Sequence, residues 1–388
     1  MSVDIYNLSE LVSSILVFIL SIFLIFKIGK SLKLSKNETA LIFCWHSIFA
    51  LFFMLIDLYG GHDASGWYNK AEIKKNIFNF GNDFMFSFSS VLQSLQVKYI
   101  AQNLIYNLLG TLTIFIFYSK IKGLCRYKSN KKFFFISSLF VLLPGLMFWS
   151  SGISKDSITI FAFALLYYSV NSKFNIYLFL FSIGLILVAR PFLLPFFGAG
   201  AYLYLCLKIL FDKNTNIKKK FFYIIILIII FYPMINLVNL GFPYISKDTG
   251  VSGLIEIFST VKNYVSSARY FYSETRLGIP ADTIFWKRHL YFLYMPLTIT
   301  QETPANIYFS LENLFFLFMT TIIIKNFKFN LKEINALTLS FYLSVLLLFL
   351  FIPFIFSNYG IALRFKWLIV PYFLLAFLDL RKKIKLIF

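Results

Sequence analysis

The sequence predicts an all-α fold, a polytopic bundle of about eleven transmembrane helices, with the N-terminus outside and the C-terminus cytoplasmic. Three observations predict it. Apolar side chains make up 59% of the 388 residues, and the mean hydropathy is +0.76. These residues fall in long unbroken runs rather than at amphipathic spacing. Basic residues gather in alternate linkers between the runs.

Runs of about 18 apolar residues span a bilayer as helices, because lipid leaves backbone groups no other partner. The spans read, in order, as 9–26, 40–58, 99–118, 133–149, 154–171, 174–189, 192–211, 221–240, 306–324, 335–356 and 367–380. Strands of a membrane barrel would alternate apolar and polar residues, and no such segment is visible. The whole chain, 1–388, reads as a single integral membrane domain, with an outer loop at 59–98 and a larger one at 241–305. Semi-apolar stretches inside these loops, Ile77 to Leu95 and Val251 to Ala268, read as re-entrant or interfacial helices.

The linkers at 27–36, 120–132, 173, 208–220 and 325–332 and the tail at 381–385 carry 23 of the 37 basic residues, and only 4 of the 17 acidic ones, Glu38, Asp212, Glu333 and Asp379, lie in or beside them. Lys and Arg mark the cytoplasmic side, which fixes the orientation. The net charge of +20 is therefore a topology signal facing the lipid bilayer's anionic head groups, and no nucleic acid is expected as a partner. Cys44, Cys125 and Cys206 form neither a disulfide framework nor a zinc spacing. Asp4 and Glu10 stand where a cleavable signal peptide would carry basic residues, so none is expected.

Candidate chemistry lies on the outer side. The first outer loop opens with Gly60-Gly61-His62-Asp63-Ala64-Ser65-Gly66-Trp67-Tyr68. An aspartate at the membrane edge suits a general base or a cation ligand, and a solvated turn ending a helix fits it as well. Phe148-Trp149-Ser150-Ser151-Gly152-Ile153-Ser154-Lys155-Asp156-Ser157 forms a tight outer hairpin. Asp156 suits the first turn of a helix, Trp149 suits an interfacial anchor, and Lys155 suits a phosphate. Ala189-Arg190-Pro191 sits between two apolar runs, where an arginine must pair, snorkel or hold an anion. Its planar fork suits a pyrophosphate, and a snorkelling helix-end arginine is an equal alternative. Arg269 and Arg276 lie among tyrosines in the large loop, a mixture suited to sugars and phosphates and equally to an interfacial segment. Asn358-Tyr359-Gly360 leads to Arg364 and Lys366 near the C-terminus, against the local charge bias. Glu312 inside the ninth span is either a functional carboxylate or the partner of a buried base.

Four of these pieces in order carry a resemblance: the Asp63–Tyr68 turn, the Phe148–Gly152 segment with Lys155 and Asp156, the Arg190-Pro191 break, and the Asn358–Arg364 turn. Together the chain resembles bacterial O-antigen polymerases of the Wzy type, and more broadly the C superfamily of polyprenyl-dependent membrane glycosyltransferases. The resemblance implies transfer of a growing glycan between undecaprenyl-pyrophosphate-linked oligosaccharides, outside the bacterial inner membrane. It implies Asp63 as base and Arg190 as a catalytic cation. It implies Tyr68, Lys155, Asp156, Arg269, Arg276, Asn358 and Arg364 as substrate-binding residues, and a chain-length regulator as a candidate partner. Asp63 lacks an Asp-x-Asp partner in its loop, so neither metal nor cofactor is expected. Two alternatives stay open: a transferase of single sugars from a polyprenyl phosphate, and a flippase or other transporter. Two long loops on one side, an odd span count and no visible repeat weigh against the transporter.

Overall fold

The computed structural model describes residues 8–59, 63–71, 80–127, 131–171, 174–211, 216, 218–223, 225, 285–295, 304–325, 335–355 and 359–380. Among them the ordered elements are helices. Five are long and apolar enough to cross a membrane: Leu8–Ser31, Lys36–Leu58, Tyr99–Cys125, Pro191–Phe211 and Ala336–Pro353. Ten of the eleven spans expected from the sequence coincide with described helical segments, and the eighth, 221–240, lies almost wholly outside the described residues. The chain divides by its contacts into two compact units, one running to Pro191 and the other starting at Phe192.

The first unit begins with α1 (Leu8–Ser31) and α2 (Lys36–Leu58). α1 ends where Lys33 adopts a left-handed φ of 62° and the Leu34 N–H donates back to the Gly29 carbonyl at 2.9 Å. Ser35 and Glu38 then close a capping box that starts α2. Much of α1 leaves Leu11, Ile15, Leu16, Ile19, Leu20 and Phe23 exposed, a surface suited to lipid. α3 (Ala64–Asn69) and α4 (Asn82–Ser94) follow between α2 and residue 98. Gly81 precedes α4 at a φ of 66° that favours glycine.

α5 (Tyr99–Tyr127) is the central element, packing against α1, α2, and three later helices. These are α6 (Lys131–Val141), α7 (Pro144–Ser151) and α8 (Lys155–Asn171). The expected span 133–149 is broken between α6 and α7. Pro144 stands at the first position of α7 and holds Leu143 extended, at φ −61° and ψ 134°. The carbonyl of Leu142 at the break accepts the Trp45 indole N–H from α2 at 3.1 Å. α8 is buried on nearly every face, so it is an inner helix rather than a lipid-facing one. α9 (Ile176–Ala189) packs along it and closes the unit.

A short 3-10 turn at Pro191–Leu193 leads into α10 (Leu194–Phe211), the first helix of the second unit. Then come α11 (Phe285–Tyr294), α12 (Pro304–Lys325), α13 (Ala336–Ile355), α14 (Tyr359–Lys366) and α15 (Val370–Leu380). α10 lies so close to α13 that a Cβ on Gly200 would collide with the backbone of Ser344. α11 packs on α12, α13 and α14, and α15 packs on α13.

Candidate functional site

Three of the sequence-selected segments meet in the first unit. A buried cluster gathers Phe53 of α2, Ala64 and Trp67 of α3, Met85 of α4 and Tyr99 and Tyr106 of α5, with Ile153, Ile158 and Ala189. Tyr68 and Phe148 pack against it. The Asp63–Tyr68 turn, the 148–158 hairpin and the end of α9 before Arg190 therefore share one apolar floor. The α4 start is tied in as well, because the Gly81 N–H donates to the Val188 carbonyl at 2.8 Å.

Asp63 occupies the N-cap of α3 but sits in helical conformation, and its side chain makes no capping bond. Its carboxylate is exposed. The capping role belongs to Asp57, one residue inside the end of α2. Asp57 is buried. It accepts the Ala64 N–H at 3.2 Å, the Ser65 N–H at 2.7 Å and the Tyr99 hydroxyl at 2.5 Å. Burying a carboxylate costs several kcal/mol unless its oxygens are satisfied, and three donors do that here. Tyr68 meets Tyr99 edge to face at 5.3 Å, and its carbonyl accepts from Gln93 Nε2 at 2.8 Å.

The hairpin turns tightly because Gly152 lies against α2: a Cβ there would collide with the Phe53 ring. The Ser154 hydroxyl accepts the Ser157 N–H at 3.0 Å and so caps α8. The Ile153 N–H donates to Asn103 Oδ1 at 3.3 Å. Lys155 is half-buried and Asp156 buried. Arg190 ends α9, with its N–H on the Ile186 carbonyl at 2.8 Å. Its Nη2 donates to Asp156 Oδ1 in an ion pair whose side chains are 11% and 3% exposed. The arginine at the end of α9 is thus paired, and the contact holds one Nη of its guanidinium against Asp156.

A second polar group sits deeper in the same unit. His46 Nδ1 lies 2.5 Å from Asn107 Oδ1, and its Nε2 lies 2.9 Å from Ser150 Oγ. Asn107 Nδ2 donates to Ser47 Oγ at 2.9 Å, so its Oδ1 accepts from His46 and leaves Nε2 as the acceptor. The order matches a serine–histidine–amide constellation. All three side chains are buried, however, and a Cβ on Gly110 would collide with the ring and with the Ser150 carbonyl. With no room for a reactant, the group is a polar tie between α2, α5 and α7.

In the second unit, Arg364 is half-buried on α14. Two residues on, Lys366 is fully buried. Its ammonium donates to Asn313 Oδ1 at 2.6 Å and lies 5.2 Å from the Phe316 ring and 5.0 Å from the Trp367 ring. Burial pushes Lys366 down to about 8, and the charge of buried Glu312 pulls the other way. Glu312 therefore acts on a basic residue of its own bundle. On α11, His289 Nε2 donates to the Leu350 carbonyl at 3.2 Å, beside Pro353 within α13. Arg269, Arg276 and Asn358 lie outside the described residues.

Sequence reading passed over Asp57, Asn313 and the partners of His46. The available signal was an acid or amide inside an apolar run. Among the described residues no three His, Cys, Asp or Glu side chains gather closely enough to hold a metal ion. No family model, no curated protein and no solved structure matches the chain.

Proposed function

We propose that the chain is a membrane glycosyltransferase that polymerises undecaprenyl-pyrophosphate-linked oligosaccharide repeat units into O-antigen or a related surface polysaccharide. In this reading it crosses the bacterial inner membrane eleven times, with the N-terminus and the two long loops in the periplasm and the Lys-rich linkers in the cytoplasm. The carrying observation is the convergence of three motif-bearing segments, each expected on the outer side, on one apolar cluster.

The chemistry follows from the residues there. Exposed Asp63 takes the proton from the acceptor sugar hydroxyl. That oxygen attacks the anomeric carbon of the donor chain, a new glycosidic bond forms, and the bond from the anomeric carbon to pyrophosphate breaks. Undecaprenyl pyrophosphate leaves with the electron pair. Lys155 and the Asp156-fixed Arg190 stabilise the charge on the leaving oxygens. Half-buried Tyr68 offers its ring to a pyranose.

Deleting the gene in its host and resolving the surface lipopolysaccharide on a gel tests the reading. The expected product is core bearing a single repeat unit, with the ladder lost and restored by the wild-type chain but not by Asp63→Ala or Arg190→Ala. Loss of even the single unit supports a flippase or a transferase that builds the unit. An unchanged ladder refutes polymerisation of this glycan.

A further inference from the structure

We infer that Asp57 and Tyr99 are positioning residues, a latch that sets the Asp63–Tyr68 turn on the first unit. The consequence for catalysis rests on the proposed polymerase reading; the latch itself does not.

α3 has six residues, too few to hold a helix by its own hydrogen bonds. Its N-cap side chain contributes none. Two of its first N–H groups are instead held by a carboxylate seven and eight residues earlier, at the end of α2. The same carboxylate takes the hydroxyl of Tyr99, the first residue of α5. The Tyr99 ring then meets Tyr68 at the far end of α3, so one aspartate and one tyrosine grip the turn at both ends. Tyr99 is itself fixed from a fourth helix: Glu10 of α1 accepts the Ile100 N–H at 2.5 Å and caps the start of α5. A chain of contacts thus runs from α1 through α5 and α2 to the turn. It joins the exposed Asp63 carboxylate to the rigid centre of the unit.

The substitutions are small. Asp57→Asn keeps the volume but turns one acceptor into a donor facing donors. Tyr99→Phe removes one hydroxyl and keeps the ring. The test uses the full chain in detergent, with Cys44 and Cys206 changed to serine. Ala64→Cys reports on the turn, because the Ala64 side chain is fully buried and its N–H is one of the two held by Asp57. Native Cys125 is buried and reports on the rest of the unit. A water-soluble maleimide is the probe. In Asp57→Asn and Tyr99→Phe the thiol at position 64 is expected to react at least about tenfold faster while Cys125 stays protected, a difference of about 1.4 kcal/mol in opening. Asp57→Glu, which keeps the charge, restores part of the protection. Unchanged reaction at position 64 overturns the latch, and so does equal acceleration at both thiols, which signals general loosening. In the host, both latch variants are expected to shorten the polysaccharide ladder at wild-type protein level. A ladder that survives Asp63→Ala while position 64 opens on latch mutation refutes the polymerase reading and leaves the latch standing.

Discussion

Breaking the Asp156–Arg190 pair is the most informative perturbation of the first unit. The two side chains are 3% and 11% exposed. Removing one partner of a buried pair leaves a lone charge and costs about 3–5 kcal/mol. The costs are unequal. Asp156 is short and deep, so Arg190→Met strands its carboxylate, whereas in Asp156→Leu the long arginine stem lets the guanidinium reach water. Arg190→Met is therefore expected at the upper end and Asp156→Leu at the lower. For a unit of about 190 residues, 1 kcal/mol moves the unfolding midpoint by about 2–4 °C. The singles should lose between about 6 and 20 °C in detergent. The double variant removes both charges, and an apolar pair of similar size is close to neutral there. It should recover at least about half of the larger single loss, so the double variant loses far less than the sum of the two singles. Monitored by fluorescence-detected size exclusion after heating, additive losses would refute the pairing. Polymer synthesis should fail in Arg190→Met and stay lost in the stabilised double variant, which separates the fold of the site from its chemistry.

Other substitutions probe the packing. Gly152→Ala drives a methyl group into the Phe53 ring and should cost about 1–3 kcal/mol, read as a fall in the same midpoint; a neutral result would mean that the hairpin does not sit on α2 as described. Gly110→Ala meets the Ser150 carbonyl and the His46 ring, so backbone must shift, and the loss should exceed that of Gly152→Ala, where a side chain can yield. Lys366 predicts a pH dependence. Its folded-state value, near 8, lies below the 10.5 of an ordinary lysine, so between these values the unfolded chain binds more protons. Stability of the second unit should then rise with pH from about 8 to about 10.5 and be flat below. Lys366→Met should abolish that rise, and a profile that falls over this window would contradict the buried ammonium.

The long apolar helices were legible because each signal is local. Residues 8–31, 36–58 and 99–127 are helices where unbroken apolar runs stand in the sequence. The break at Leu142–Leu143 was written in Pro144, yet the leucines around it kept the run apolar and hid it. α8 reads like any span, and its burial follows from Ser157, Thr159 and Ser169, small polar residues that suit close helix packing. The site was half legible. Arg190 was conspicuous as a charge in an apolar run, but its partner lies 34 residues away. Asp57 was hidden at a span end, since its meaning depends on Tyr99, 42 residues on. Lys366 and Asn313 are 53 residues apart, and no periodicity links them.

The central claim is chemical, and reconstitution tests it most directly. The purified chain in liposomes, given undecaprenyl-pyrophosphate-linked repeat units, should yield a ladder of lengthened glycans and one released undecaprenyl pyrophosphate per bond formed, with neither product from Asp63→Ala. Movement of the units across the bilayer without elongation or pyrophosphate-lipid release would contradict the account.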